Sequence, residues 1–131
     1  MKREELVQAL VAYADEKGVI ATVAAAFGRC VRLCIPYSED VYALDIDKLD
    51  FSARANNALK RAGLFTLGAV TEAVADGRLL RIRNLGKKTE NEIKTKLLAF
   101  CYACLTPTEK AQFFAELLER NACLGGHFVL Q

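Results

Sequence analysis

Residues 83–94 read RNLGKKTENEIK. An asparagine-leucine-glycine turn runs straight into two lysines and then into a pattern with helical spacing. Glycine permits a positive φ and lets another backbone come close. The amides that follow, at Lys87, Lys88 and Thr89, fall at a helix start, where they have no intrahelical acceptors and the helix dipole is positive. The lysines add formal charge. The combination predicts an anion site made mostly of backbone, with phosphate as its natural occupant. This is the physical logic of a helix-hairpin-helix, a clamp on the backbone of double-stranded DNA. A plainer reading stays open. Thr89-x-x-Glu92 has the spacing of a capping box, and Gly86 could simply serve the turn.

Working outward, the plan is echoed once. LKRAGLFTLGAV at 59–70 and LLRIRNLGKKTENEI at 79–93 each read as a short helix, a turn with glycine beside leucine, and a second helix. Two such units pack naturally about a pseudo-two-fold axis. Ser52 is a good N-cap for a helix over about 53–61 that ends at Gly63, and Thr66 opens another that Gly77 closes. Residues 78–83, RLLRIR, make a short helix. The helix after the glycine-lysine turn runs from about Lys88 to Tyr102.

The flanks are also helical. Leu6, Val7, Leu10, Val11 and Tyr13 mark an amphipathic helix over 3–17, with Gly18 as its C′ residue. Ile20, Val23, Ala24, Phe27, Val31 and Cys34 extend the pattern over 19–34, until Pro36 stops it. Residues 37–50 are acidic and read as a loop or short helix. Thr106-Pro107-Thr108-Glu109 combines a cap residue, proline at the first position and glutamate at the third, which is a strong helix start. Nothing alternates with period two for long. The expectation is an all-α protein: a compact helical domain with two helix-hairpin-helix units at 49–100, an N-terminal helical extension at 1–48, and a C-terminal helix and tail at 101–131.

Composition bounds the function. Of 131 residues, 53% are apolar, and Pro plus Gly number only 10, which suits a real core rather than a disordered chain. The longest apolar stretch, VIATVAAAFG, is too short to span a bilayer. Acids stand where a signal peptide needs an apolar region. Five cysteines without an export signal fit reduced thiols. A cytoplasmic protein with no membrane partner is expected. Formal charge is uneven: −2 over 1–48, +5 over 49–100 and −1 over 101–131. A basic middle segment is the electrostatic footprint of a polyanion partner, although a solvated basic face has the same signature.

Here the residues reach a family. LDFSARANNALKRAG at 49–63 and LLRIRNLGKKTENEIKTKL at 79–97 resemble the C-terminal domain of the bacterial RNA polymerase alpha subunit. Leu49, Ser52, Arg54, Asn57, Leu59 and Lys60 match one motif of that family. Asn84, Leu85, Gly86, Lys87, Lys88 and Thr89 match a second, and Glu92, Ile93 and Lys94 follow in register. The match covers about 50 residues, and two separated motifs at consistent spacing are far more specific than one hairpin. The resemblance implies a minor-groove DNA binder for A+T-rich promoter DNA. It implies Arg54 in the groove, Asn57 supporting it, and Asn84, Gly86, Lys87, Lys88 and Thr89 on phosphate or sugar, with Glu92 orienting the set. A narrow A+T-rich groove has enhanced negative potential and favours an inserted guanidinium. An ion-paired surface arginine is the bland alternative for Arg54.

The sequence also departs from the family. Ala55 stands where a small hydroxyl residue is usual after the groove arginine. Asp50 matches an acidic position that the family uses against sigma factor, and Asp45 and Asp47 lie nearby as candidate protein contacts. The long flanks suggest a free-standing bacterial or phage protein built on the domain, with helices that could form a homodimer. The alternative function is therefore an interaction module that mimics the alpha C-terminal domain and engages RNA polymerase, sigma factor or an activator. Cys101, Cys104, Cys123 and His127 have spacings seen in zinc sites, but cysteines at i, i+3 in a helix also serve as small buried apolar residues, and that reading is preferred. No metal or cofactor is expected. No nucleophile-base pair or nucleotide fingerprint is present, so no enzyme is predicted.

Overall fold

The computed structural model describes residues 2–28, 34–83 and 85–121. Among these residues the protein is all-α, with no strand. It divides into two compact units. One joins Met1–Cys34 to Leu105–Gln131, and the other is Ile35–Cys104. The flanks thus pack with each other. Residues 35–48, expected to belong to the N-terminal extension, pack with the middle segment instead.

The terminal unit holds α1 (Arg3–Lys17), α2 (Val19–Phe27) and α7 (Pro107–Arg120). Helix α1 lies against both α2 and α7. Leu10, Ala26 and Phe114 are fully buried in this unit, with Val7, Val23 and Phe113 around them. Gly18 ends α1 at φ 92°, donating its amide to the Ala14 carbonyl at 2.8 Å. The expected helix over 19–34 is shorter than its apolar pattern. It stops at Phe27, where Gly28 takes φ 80° as the cap. Residues 29–33 lie outside the described set. Helix α7 has the full capping box read from the sequence: the Thr106 hydroxyl accepts from the Glu109 amide at 3.2 Å, and Glu109 accepts from the Thr106 amide at 2.9 Å.

The middle unit holds α3 (Glu39–Tyr42), a 3-10 turn at Ile46–Leu49, α4 (Ala53–Arg61), α5 (Leu67–Ala75), a 3-10 turn at Arg78–Arg81, and α6 (Lys87–Ala103). Helices α4 and α5 both pack on α6, and the 78–81 turn packs on α5. Ile46, Ala55, Leu59, Leu67, Val70, Ile93 and Leu97 are fully buried here. The segment Leu44–Ile46 is tied to Phe65–Leu67 by two backbone bonds, Ile46 amide to Phe65 carbonyl (3.1 Å) and Leu67 amide to Leu44 carbonyl (2.8 Å). That pairing holds the acidic stretch against the first helix-turn-helix. Two helix-turn-helix units follow in order, α4–α5 and then the 78–81 turn with α6. Ser52 and Thr66 cap α4 and α5 as their sequences require, accepting from Ala55 and Ala69 amides at 3.2 and 3.1 Å.

Candidate nucleic-acid interface

Helix α6 begins differently from its neighbours. Its N-cap is Gly86, and no capping side chain bonds its first-turn amides. The first intrahelical bond is Glu90 amide to Gly86 carbonyl, at 3.0 Å. The amides of Lys87, Lys88 and Thr89 are therefore without an acceptor in the helix. Gly86 itself takes φ −74° and ψ 163°, an extended conformation open to any residue. The positive φ that the sequence allowed is not used. A Cβ added at Gly86 would meet nothing within 4 Å, so no internal packing requires glycine either. What glycine leaves here is open space in front of free amides. Lys87 and Lys88 are exposed and make no hydrogen bond or ion pair among the described residues. Thr89 is mostly covered, at 7% exposed. Asn84 lies outside the described residues.

The capping box suggested by Thr89-x-x-Glu92 does not form. Glu92 turns to a different helix. Its carboxylate accepts from the Ser52 amide at 2.7 Å and from the Ser52 hydroxyl at 2.8 Å. Ser52 is the N-cap of α4, and its hydroxyl in turn accepts from Ala55. The arrangement is a capping box whose glutamate comes from another helix, 40 residues away. Lys96 completes it, donating to Glu92 at 3.2 Å and to the Asp50 carbonyl at 2.9 Å. The Ser52 amide, the Ser52 hydroxyl and Lys96 hold the Glu92 carboxyl below the usual carboxylate range.

This junction joins two helix starts. Arg54 is the second residue of α4, two positions after Ser52. It is exposed and makes no hydrogen bond or ion pair among the described residues. Asn57 is exposed one turn further on. Between them Asn56 is half-buried, and its Oδ1 has no partner among the described residues. The buried side of α4 is Ala55, Ala58 and Leu59. Ala55 is fully buried.

The acidic candidates are partly occupied. Asp45 accepts from the Asp47 amide at 2.8 Å and caps the 46–49 turn. Asp47 pairs with Lys60 at 3.6 Å, both largely exposed. The Asp50 side chain makes no bond among the described residues, and its backbone sits at φ 51°. Of the zinc candidates, Cys101 is fully buried and its thiol is pushed up to about 12, chiefly by that burial, while Cys104 is exposed. Cys123 and His127 lie outside the described residues. Among the described residues no three metal-ligating side chains converge, and no helix is long and apolar enough to cross a membrane.

Sequence reasoning does not single out the Ser52–Glu92 junction, although both residues sit in the matched motifs. It also passes by Arg61, Arg78, Arg81 and Arg83, which line one cleft of the middle unit. The dense arginines of RLLRIR were the available signal.

The middle unit is an all-α module of two helix-turn-helix hairpins whose second hairpin ends in an open, basic helix start. Residues 36–99 match the family model for the C-terminal domain of the bacterial RNA polymerase alpha subunit, and this segment resembles that domain. The DNA-directed RNA polymerase subunit alpha of Symbiobacterium thermophilum is 41% identical over 66 residues, covering 50% of this chain and 21% of that protein. The alpha subunit of Corynebacterium glutamicum strain R is 48% identical over 56 residues, or 43% of this chain and 16% of its own. That of Clostridium kluyveri is 44% identical over 59 residues, or 45% and 18%. The match thus spans about a fifth of the length of these curated relatives. No solved structure matches this protein.

Proposed function

We propose that this protein binds double-stranded DNA in transcription or its regulation, without catalysing a reaction. Arg54 enters the minor groove of A+T-rich DNA with Asn57 beside it. Gly86, Lys87, Lys88 and the first-turn amides of α6 hold the flanking phosphates.

The observation that carries this reading is the Glu92–Ser52 junction. It fixes the start of α4, which bears an arginine with no partner among the described residues, to the helix whose own start has no side-chain cap and is basic. An exposed guanidinium and a row of amides with no intrahelical acceptor are the two donors a narrow groove and its phosphate walls require. The open space at Gly86 lets a phosphate approach those amides. The likeness of residues 36–99 to the alpha C-terminal domain supports the same assignment.

Fluorescence anisotropy of A+T-rich and G+C-rich duplexes across a salt series tests it. Binding should weaken with salt, with a slope of a few phosphates. Arg54→Ala should cost about 1–3 kcal/mol on the A+T-rich duplex and erase the preference between duplexes. Lys88→Ala should weaken both duplexes alike and lower the salt slope by about one. Absence of saturable binding at low salt, or indifference to both substitutions, would defeat the proposal.

A further inference from the structure

A cleft of about 580 Å³ opens in the middle unit between the end of α4 and the 78–83 segment. Its lining includes Arg61, Arg78, Arg81 and Arg83 around Ala58, Leu64 and Ile82, with no carboxylate among the described residues that line it. Four like charges around one concavity repel one another. Of the four, Arg78 has an anion to offset it: its Nε meets Asp76 Oδ2 at 2.7 Å. Arg61, Arg81 and Arg83 are exposed and have no hydrogen bond or ion pair among the described residues. Arg81 lies in the field of the same Asp76 carboxylate, while Arg61 and Arg83 have no carboxylate partner among the described residues, so the cluster keeps spare positive charge for an oxyanion that guanidinium N–H groups can grip.

Its position says which oxyanions. Arg54, Asn57 and Arg61 are at i, i+3 and i+7 of α4 and share its exposed side. Seven residues of helix rise about 10.5 Å. One strand of a duplex carries a phosphate every ~3.4 Å of axis, so the span from Arg54 to Arg61 equals roughly three phosphate spacings. On the other side of the cleft, Arg83 lies three positions before Gly86. The cleft therefore borders both parts of the proposed DNA surface. We infer that Arg61, Arg81 and Arg83 form a second phosphate-binding site, which takes the DNA backbone beyond the segment held by Arg54 and the α6 start. The inference rests on the DNA-binding reading and extends its footprint. An acidic peptide with apolar side chains is the competing occupant, but nothing about it would require the cleft to adjoin the arginine face of α4.

The test is the triple variant Arg61→Gln/Arg81→Gln/Arg83→Gln in the full-length protein, its fold checked by circular dichroism and thermal melting. Anisotropy on the A+T-rich and G+C-rich duplexes is read across salt. The slope of log K against log salt should fall by about two to three, since each phosphate contributes ~0.9. Affinity at low salt should fall at least about tenfold on both duplexes, with the A+T preference kept, because base-step shape is read by Arg54 and not by this cleft. The corresponding triple change to lysine should retain most of the slope. If the glutamine triple does not fold, Arg61→Gln alone should lower the slope by about one.

A folded triple variant with an unchanged slope overturns the inference. If Arg54→Ala still erases the A+T preference in that case, the DNA-binding reading stands without the second site. If Arg54→Ala and Lys88→Ala are silent as well, both fail. A labelled peptide of alternating glutamate and leucine is the third arm. Its binding to wild type, lost in the triple variant while the DNA slope is unchanged, would give the cleft to an acidic protein segment and overturn the DNA assignment.

Discussion

The same dipeptide opens the second helix of each hairpin in the middle unit, and the two copies do opposite things. Leu67-Gly68 starts α5, and Leu85-Gly86 leads into α6. Leu67 is fully buried, whereas Leu85 is only partly covered. Gly68 is buried beneath the Tyr42 ring, and a Cβ there would come within 2.4 Å of it. Gly86 faces open space. The α5 start is closed by the Thr66 hydroxyl, and the α6 start has no capping side chain. One copy of the motif is used up by the fold, and the other is left for something outside it. A repeat read from sequence predicts the hairpins but not which hairpin is spare. Occupancy of the helix start and of the space before it decides that.

The largest expected effect separates the two leucines. Leu67→Ala should destabilise the protein by about 2–5 kcal/mol, as a buried leucine truncated to a cavity does. Leu85→Ala, at a half-buried site that can collapse or fill with water, should cost under about 1.5 kcal/mol. Urea denaturation midpoints measure both, and equal losses would mean the hairpins are energetically alike.

The glycines come next. On an exposed helix, Gly→Ala usually gains up to about 1 kcal/mol. At Gly68 the sign should reverse, with a loss of about 1–3 kcal/mol as the Tyr42 ring is displaced from its place over α5 and its bond to Glu72 is strained. Adding Tyr42→Ala should make the further cost of Gly68→Ala small, a coupling that a double-mutant cycle reads directly. Gly68→Ala on its own raising the melting temperature would contradict the packing account.

Glu92 follows. Glu92→Gln should lower stability by about 1–2 kcal/mol at neutral pH, because a charge-assisted cap to Ser52 and the contact with Lys96 are weakened. The pH dependence has a definite sign. Folding holds the Glu92 carboxyl below its ordinary value of 4.5, so its contribution is complete above that pH and is lost as pH falls through the lower folded value. The gap between wild type and Glu92→Gln in urea midpoint should therefore shrink in acid. A gap that widens there would reverse the assigned shift.

The smallest effect on stability belongs to Gly86→Ala. An N-cap alanine replaces a glycine that serves no strained dihedral and no internal contact, so the cost should stay within about 1 kcal/mol. Its effect should appear in DNA binding instead, because the methyl group occupies the approach to the amides of residues 87–89. Full binding by a well-folded Gly86→Ala would mean the space is not used.

Much of this fold was legible because its signals are local. Ser52 and Gly63 bracket α4 within the sequence itself, and Thr106-Pro107-Thr108-Glu109 announces α7 and its cap. The errors came where a local pattern misled or where the partner was distant. Val31 and Cys34 continue the apolar spacing of α2 past Gly28, and the glycine's positive φ overrides that spacing. Glu92 has the right offset from Thr89 for a local box, but its partner is Ser52, and only the packing of α4 on α6 brings them together. The attachment of Leu44 and Ile46 to Phe65 and Leu67 depends on backbone bonds with no side-chain signature. The arginine cleft needs the end of α4 beside the 78–83 segment, a neighbourhood that no periodicity encodes. Arg54, Gly86 and the two lysines were legible as candidates; that Arg54 and the lysines have no partner among the described residues, and that Gly86 opens a helix with no side-chain cap, was not.

The most direct test follows backbone amides during titration of the isotopically labelled protein with an A+T-rich duplex, by two-dimensional NMR. The account predicts saturable shifts at residues 54–57 and 86–89, with the equivalent α5 start at 66–69 unmoved. Shifts confined to the acidic stretch 45–50 or to the start of α7, or equal shifts at both hairpins, would contradict the claim that one helix start is spent on the fold and the other kept for DNA.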